Sequence, residues 1–222
     1  MNFGLSFSYV FKDEEWFKKI GITALVGLIP VIGQLIVAGW GIKITKNVID
    51  GKEEYALPDL DFGADLGRGF MAAVISLIYS LPVALLSGIS GALFGFGGSA
   101  EDATMTIFFI AGGCLGLLSL LLGIFIGFLS AAAIANYAAK GEFSAAFKFK
   151  ELVAMLKKSF VSWLLVVVGY LLAMTFIAPL GAIACGIGAL LTAVYAVAIY
   201  SHLLGQAYNE SASPAMEEME TV

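Results

Sequence analysis

Long uncharged runs alternate with short polar joints along this chain, and the length of the runs sets the first expectation. Residues 20–42, 69–98, 103–139, 159–178 and 181–207 carry no acidic or basic side chain other than His202. About 20 apolar residues at a rise of ~1.5 Å each cross the ~30 Å hydrocarbon layer of a bilayer. A β-barrel would alternate polar and apolar positions over segments of about 10 residues, and no such alternation occurs. The pattern predicts an all-α, polytopic integral membrane helical bundle built of three helical hairpins with cytoplasmic interfacial helices.

The joints give the organisation. Residues 3–19, "FGLSFSYVFKDEEWFKK", mix aromatic side chains with Lys12, Lys18 and Lys19 and are expected to lie at the headgroup level. A hairpin over 20–48 follows, then an interfacial joint over 49–68 and a hairpin over 69–139. An interfacial helix over 142–158 leads to the last hairpin, 159–207. Residues 1–208 thus read as a single transmembrane domain. The tail 209–222 holds four glutamates and no base, and its few large apolar residues predict disorder.

The first hairpin has an alternative. Residues 20–42 could form one span, which would export Lys12, Lys18 and Lys19. A bend at "IPVIG" keeps these bases inside and is preferred, because Pro30 disfavours helical backbone before it and Gly33 suits a turn.

Composition agrees with the pattern: 60% of residues are hydrophobic and 13% charged, where a soluble domain has about a quarter charged. All 12 lysines and arginines fall in the N-terminal segment, in 43–68 or in 140–158. By the positive-inside rule those joints face the cytoplasm, the "SAED" turn at 99–102 faces out, and both termini are cytoplasmic. No cleavable signal peptide is evident, so the first apolar segment is expected to serve as the targeting signal. The basic joints imply contact with anionic headgroups on that face. Nothing in the charge pattern suggests nucleic acid.

Two internal regularities bear on architecture. Gly51, Leu66 and Phe70 are echoed ninety residues later by Gly141, Leu156 and Phe160, so a joint followed by a span occurs twice in register. Gly112, Gly116, Ser119, Gly123, Gly127 and Ser130 share one helical face. Small residues at that spacing let another helix approach closely, which makes this helix the expected centre of the bundle. Gly91 and Gly95 are the expected facing pair, and a subunit contact is the alternative use of the stripe.

Candidate chemistry is sparse. Charged residues inside spans mark relays, ion paths and catalytic sites, and here the spans have only His202 near the end of the last one. This weighs against proton-coupled transport and against a membrane hydrolase needing a paired acid and base. His202 could ligate a tetrapyrrole, but the ordinary expectation is an interfacial histidine satisfied by headgroups or water. Cys114 and Cys185 read as packing residues. The run "DLDFGAD" sets Asp59, Asp61 and Asp65 close together, yet a twelve-residue calcium loop begun at Asp59 would need an acid where Met71 stands. A helix start fits better, with aspartates capping free N–H groups and an apolar stripe of Phe62, Leu66 and Phe70 lying in the interface. No catalytic, cofactor-binding or metal residue is assigned, and no cofactor is expected.

Three motifs carry a resemblance: "FSYVFKDEEWFKKI", "GLIPVIGQLIVAGW" and "KNVIDGKEEYALPDLDFGADLGRGF". With these the chain resembles a prokaryotic membrane family known as domain of unknown function 4013. The likeness is closest over the first 80 residues or so and rests mainly on hydropathy beyond them; Leu60 and Phe62 stand where members often carry tryptophan. It implies a multi-pass protein of the prokaryotic inner membrane and brings no activity, substrate or site residue. The expected function is a non-catalytic accessory or scaffold subunit of a membrane assembly, not an enzyme. A transporter or channel for a small or apolar solute is the alternative. A membrane enzyme or pigment binder using His202 or the aspartates ranks third.

Overall fold

The structure, a computed structural model, describes residues 1–55, 57–99, 102–181 and 187–212. The architecture is all-α, with no strand among the described residues. Four helical stretches are long and apolar enough to cross a membrane: Phe62–Gly97, Ala103–Lys140, Phe160–Leu180 and Gly188–Ala212.

The N-terminal segment forms helix α1 (Phe3–Ser8), a 3-10 turn (Tyr9–Lys12) and the start of α2 (Trp16–Gly27). It docks on protein, with Ser6, Tyr9 and Val10 buried, while Phe11 and Phe17 of the same segment are exposed. Helix α3 (Ile32–Ile49) is separated from α2 by a turn at Pro30. The Ile32 N–H donates to the Pro30 carbonyl at 2.7 Å, and Val31 between them has φ 64° and ψ −62°. This is a γ-turn, a strained conformation for a β-branched residue. Gly33 lies inside α3, where it lets the Val26 carbonyl approach its Cα, so its use is close packing and not turning.

Helix α4 (Phe62–Gly97) runs unbroken through Pro82. Among its described residues the joint before it holds no separate α-helix: it has a 3-10 turn (Glu53–Tyr55), irregular backbone over 57–61, and then the first turns of α4 itself. Helix α5 (Asp102–Lys140) ends at Gly141, which has φ 70°. Gly51 after α3 has φ 83°, and there the Lys52 N–H donates to the Asn47 carbonyl and the Gly51 N–H to that of Val48. That bond pair is the Schellman motif, which only glycine accommodates without strain.

Helix α6 (Phe149–Lys158) is amphipathic: Leu152, Met155 and Leu156 are buried while Lys157 and Lys158 face out. Helix α7 (Phe160–Leu172) passes into a π turn (Ala173–Ile177) and the short α8 (Ala178–Leu180), which contains Pro179. Helix α9 (Ile187–Ala212) extends four residues into the stretch expected to be a disordered tail; residues 213–222 lie outside the described residues.

Contacts divide the chain into two units. The first comprises residues 1–75 with the described residues from 131 onward. Its centre is α9, which packs on α1, α2, α3, α6, α7 and α8. The small-residue stripe of the 103–139 helix lies instead in the second unit. Tyr9, Ile20, Val37, Trp40, Ile44, Leu57 and Ala198 share the first unit's buried cluster. Helices α3 and α4 cross at Gly39 and Gly69, where a Cβ on either would overlap a carbonyl of the other helix.

The second unit, Ser76–Ser130, is a two-helix hairpin of α4 and α5. Its seam is the small-residue stripe. The Ser90 hydroxyl donates to the Gly112 carbonyl at 2.7 Å, and Ser119 donates to the Val83 carbonyl while accepting from Ser87 at 2.6 Å. A Cβ at Gly91 or Gly95 would meet nothing within 4 Å, so these two glycines do not face the stripe. Cys114 is exposed on this hairpin and not packed, and Cys185 lies outside the described residues.

Candidate functional site

The polar side chains of the first unit gather where α3 and α9 end, and His202 is their hub. It is fully buried. Its Nε2 lies 2.8 Å from the Glu53 carbonyl, and its Nδ1 lies 2.9 Å from Ser6 Oγ and 3.1 Å from Gln206 Nε2. The ring stacks on Tyr9 at 4.2 Å between centroids. These contacts correct the expectation that headgroups or water satisfy this histidine.

Hydrogen-bond accounting fixes the tautomer. Gln206 Oε1 accepts the Asn2 N–H at 2.8 Å while Gln206 Nε2 donates to the Asn2 carbonyl at 3.2 Å, which sets the orientation of the amide. The Gln206 nitrogen can only donate, so His202 Nδ1 is the acceptor and its proton sits on Nε2, donated to Glu53. Both ring nitrogens are thus engaged by a neutral imidazole. Tyr9 donates to the Ala198 carbonyl at 3.2 Å, and Tyr195 donates to the Phe7 carbonyl. Burial, with a smaller contribution from Tyr195, raises the Tyr9 pKa well above its ordinary value.

The motif "LPDLDFGAD" is held beside this hub through its backbone. The Leu57 carbonyl accepts from Lys19 at 3.1 Å, that of Pro58 from the Trp40 indole at 2.9 Å, and that of Asp59 from Lys43 at 2.8 Å. An irregular segment needs such partners for its polar groups. Asp61 caps α4, accepting from the Ala64 N–H at 3.1 Å, and the buried Asp65 reaches back to the Asp61 N–H at 2.7 Å while pairing with Arg68. The helix-start reading of these acids therefore describes what two of the three do. Asp59 is exposed, 3.9 Å from Lys19. Among the described residues no three of His, Cys, Asp and Glu are grouped to hold a metal ion.

Two clefts open at this end. One, of about 880 Å³, is lined by Asn2, Glu53, Gln206, Asn209 and Glu210 among others. Asn2, Gln206 and the Glu53 carbonyl belong to the His202 network, Asn209 donates to the Val48 carbonyl at 3.0 Å, and the Glu210 carboxylate pairs with the Met1 ammonium and accepts from Ser162. The other, of about 530 Å³, is lined by Lys43, Lys46, Arg68 and Lys140 with Tyr137 and Gly141. Sequence reasoning placed these bases on one side of the protein but not in one cleft. The available signal was the i, i+3 spacing of Lys43 and Lys46, which puts both on one face of α3. Nothing in the sequence joined them to Arg68 and Lys140.

Fold and site together define a helical bundle with membrane-length helices, on whose α9 the N-terminal segment docks. A family model described as a protein of unknown function, DUF4013, matches residues 22–193, and the chain belongs to that family. The match begins beyond the "FKDEEWFKK" run and extends far past the first 80 residues, through α5, α6 and α7 into α9. No curated protein and no solved structure matches the chain.

Proposed function

We propose that this is a multi-pass protein of the prokaryotic inner membrane that acts as a non-catalytic accessory or scaffold subunit of a membrane assembly. The observation that carries this is the use of its buried polar groups. Ser6, Asp65, His202 and Gln206 bond to backbone or to one another and so hold segments together. An active site would instead aim such groups at a substrate position.

The hairpin 76–130 supplies the surface for partners. Leu85, Leu117, Leu121 and Phe125 are each more than half exposed, on faces away from the serine seam. Lipid chains or another subunit's helices suit that surface equally. In this reading the lysine-bearing ends of the helices face the cytoplasm, with α6 lying in the interface. Affinity purification in mild detergent is expected to return a membrane partner in constant ratio. Recovery of the protein alone from cells at native expression overturns the scaffold reading.

One observation favours transport instead. The span 160–180 carries a π turn at 173–177 followed by Pro179, and π turns inside helices are frequent at functional sites. Flux of small solutes into proteoliposomes, abolished by restoring regular helix at 173–179, would support it.

A further inference from the structure

The cleft between the ends of α3, α4 and α5 gathers Lys43, Lys46, Arg68 and Lys140, and none of its lining residues is acidic. Three of the cations have carboxylate partners outside the lining. Lys46 pairs with Asp50 at 2.6 Å, Arg68 with the buried Asp65, and Lys140 with Glu151. Lys43 is bonded to the Asp59 carbonyl and has no carboxylate within ion-pair range among the described residues. Lys46 and Lys140 stand in the last turns of α3 and α5, where cations offset the helix dipole. That accounts for two of the four. It does not account for Lys43, half-buried between the buried Ile42 and Ile44, or for Arg68 near the start of α4.

We infer that this cleft binds a phosphate-bearing anion, the phosphate of a lipid headgroup or a soluble phosphate of the same chemistry. A planar guanidinium with ammonium groups beside it matches the oxygens of a phosphate monoester or diester. Basic pockets between helices at the membrane surface take anionic headgroups in this way. Tyr137 and Gly141 complete the lining, and a Cβ added at Gly141 would meet nothing within 4 Å. These cations are distinct from the exposed Lys157 and Lys158 of α6, which offer only a diffuse attraction to an anionic surface. The inference rests on the membrane reading above and is independent of the scaffold reading.

The test uses the full chain in nanodiscs of phosphatidylcholine, with or without about a fifth of phosphatidylglycerol or cardiolipin. Lipid retained after transfer to neutral detergent is measured by native mass spectrometry. In a second arm, inorganic phosphate is titrated against thermal unfolding in phosphatidylcholine alone. Retention of anionic lipid by the native protein, reduced on the order of tenfold in Lys43→Gln/Arg68→Gln but kept in Lys157→Gln/Lys158→Gln, establishes the cleft as a headgroup site. Protection by inorganic phosphate, lost in the same variant and without retained lipid, assigns it to a soluble phosphate. Because Arg68 pairs with the buried Asp65, Lys43→Gln/Lys140→Gln repeats both arms with that pair intact. Equal binding by native protein and both cleft variants overturns the inference, as does equal loss in the α6 variant. Failure to enter nanodiscs at all overturns the membrane reading itself.

Discussion

His202 is held at both ring nitrogens: Ser6 and Glu53 come from distant parts of the chain, and Gln206 from the next turn of its own helix. Replacing it with alanine removes those bonds and leaves a void beside Tyr9. A loss of about 3 kcal/mol is expected, and residues 2–9 should become the first site of limited proteolysis. Tyr9 supplies a pH test. Its folded-state pKa is raised, so its contribution is full below the ordinary phenol value of about 10 and is lost as pH rises past it. Thermal unfolding between neutral and strongly alkaline pH should fall more steeply for the native protein than for Tyr9→Phe. Val31 works in the opposite sense. Val31→Gly relieves a positive φ at an exposed position and is expected to raise stability by about 1 kcal/mol, read as a higher unfolding temperature in detergent.

At the scale of elements, two sets of glycines behave differently although the sequence presents them alike. Gly39 and Gly69 lie where α3 and α4 touch backbone to backbone, so Gly39→Leu is expected to part the helices and cost more than about 3 kcal/mol. Gly91 and Gly95 meet open space, and Gly91→Ala with Gly95→Ala should raise thermal stability slightly through helix propensity alone. A GxxxG spacing reports that close approach is possible, not which helix arrives. The existence of the spans was legible, because uncharged runs of membrane length leave few alternatives. The joint at 49–68 was misread because Phe62, Leu66 and Phe70 make a stripe that serves equally for an interfacial helix or for the outer face of a span. Phe62 and Phe70 are indeed exposed, but on the first turns of α4. Capping by Asp61 was readable because it is local; the grip of Trp40 on the Pro58 carbonyl was not, because nothing in the spacing records it.

For the whole molecule, the helix at the centre of the first unit was the main thing hidden. Small residues pointed to 103–139, but α9 occupies the centre of the first unit with Ala196, Ala198, Leu203, Leu204 and Ala207 fully buried or nearly so. Its hydropathy is the lowest of the four membrane-length helices, because it also carries the polar groups that dock the N-terminal segment. Local stability should follow this division. Amide exchange is expected to be slowest in α9 and the α3 face against it, and faster through 76–130, whose helices have only each other within their unit.

The central place of α9 has a consequence for how the protein is made. A ribosome delivers α1, α2, α3 and α7 before the helix that all of them touch. Until residues 187–212 emerge, Asn2 lacks the amide that grips it and Ser6 lacks its imidazole. The hairpin 76–130, by contrast, has both halves of its serine seam early. Assembly of the first unit therefore waits on the synthesis of α9, and a nascent chain stopped before α9 would expose its unfinished helices to quality-control proteases while the hairpin is already formed.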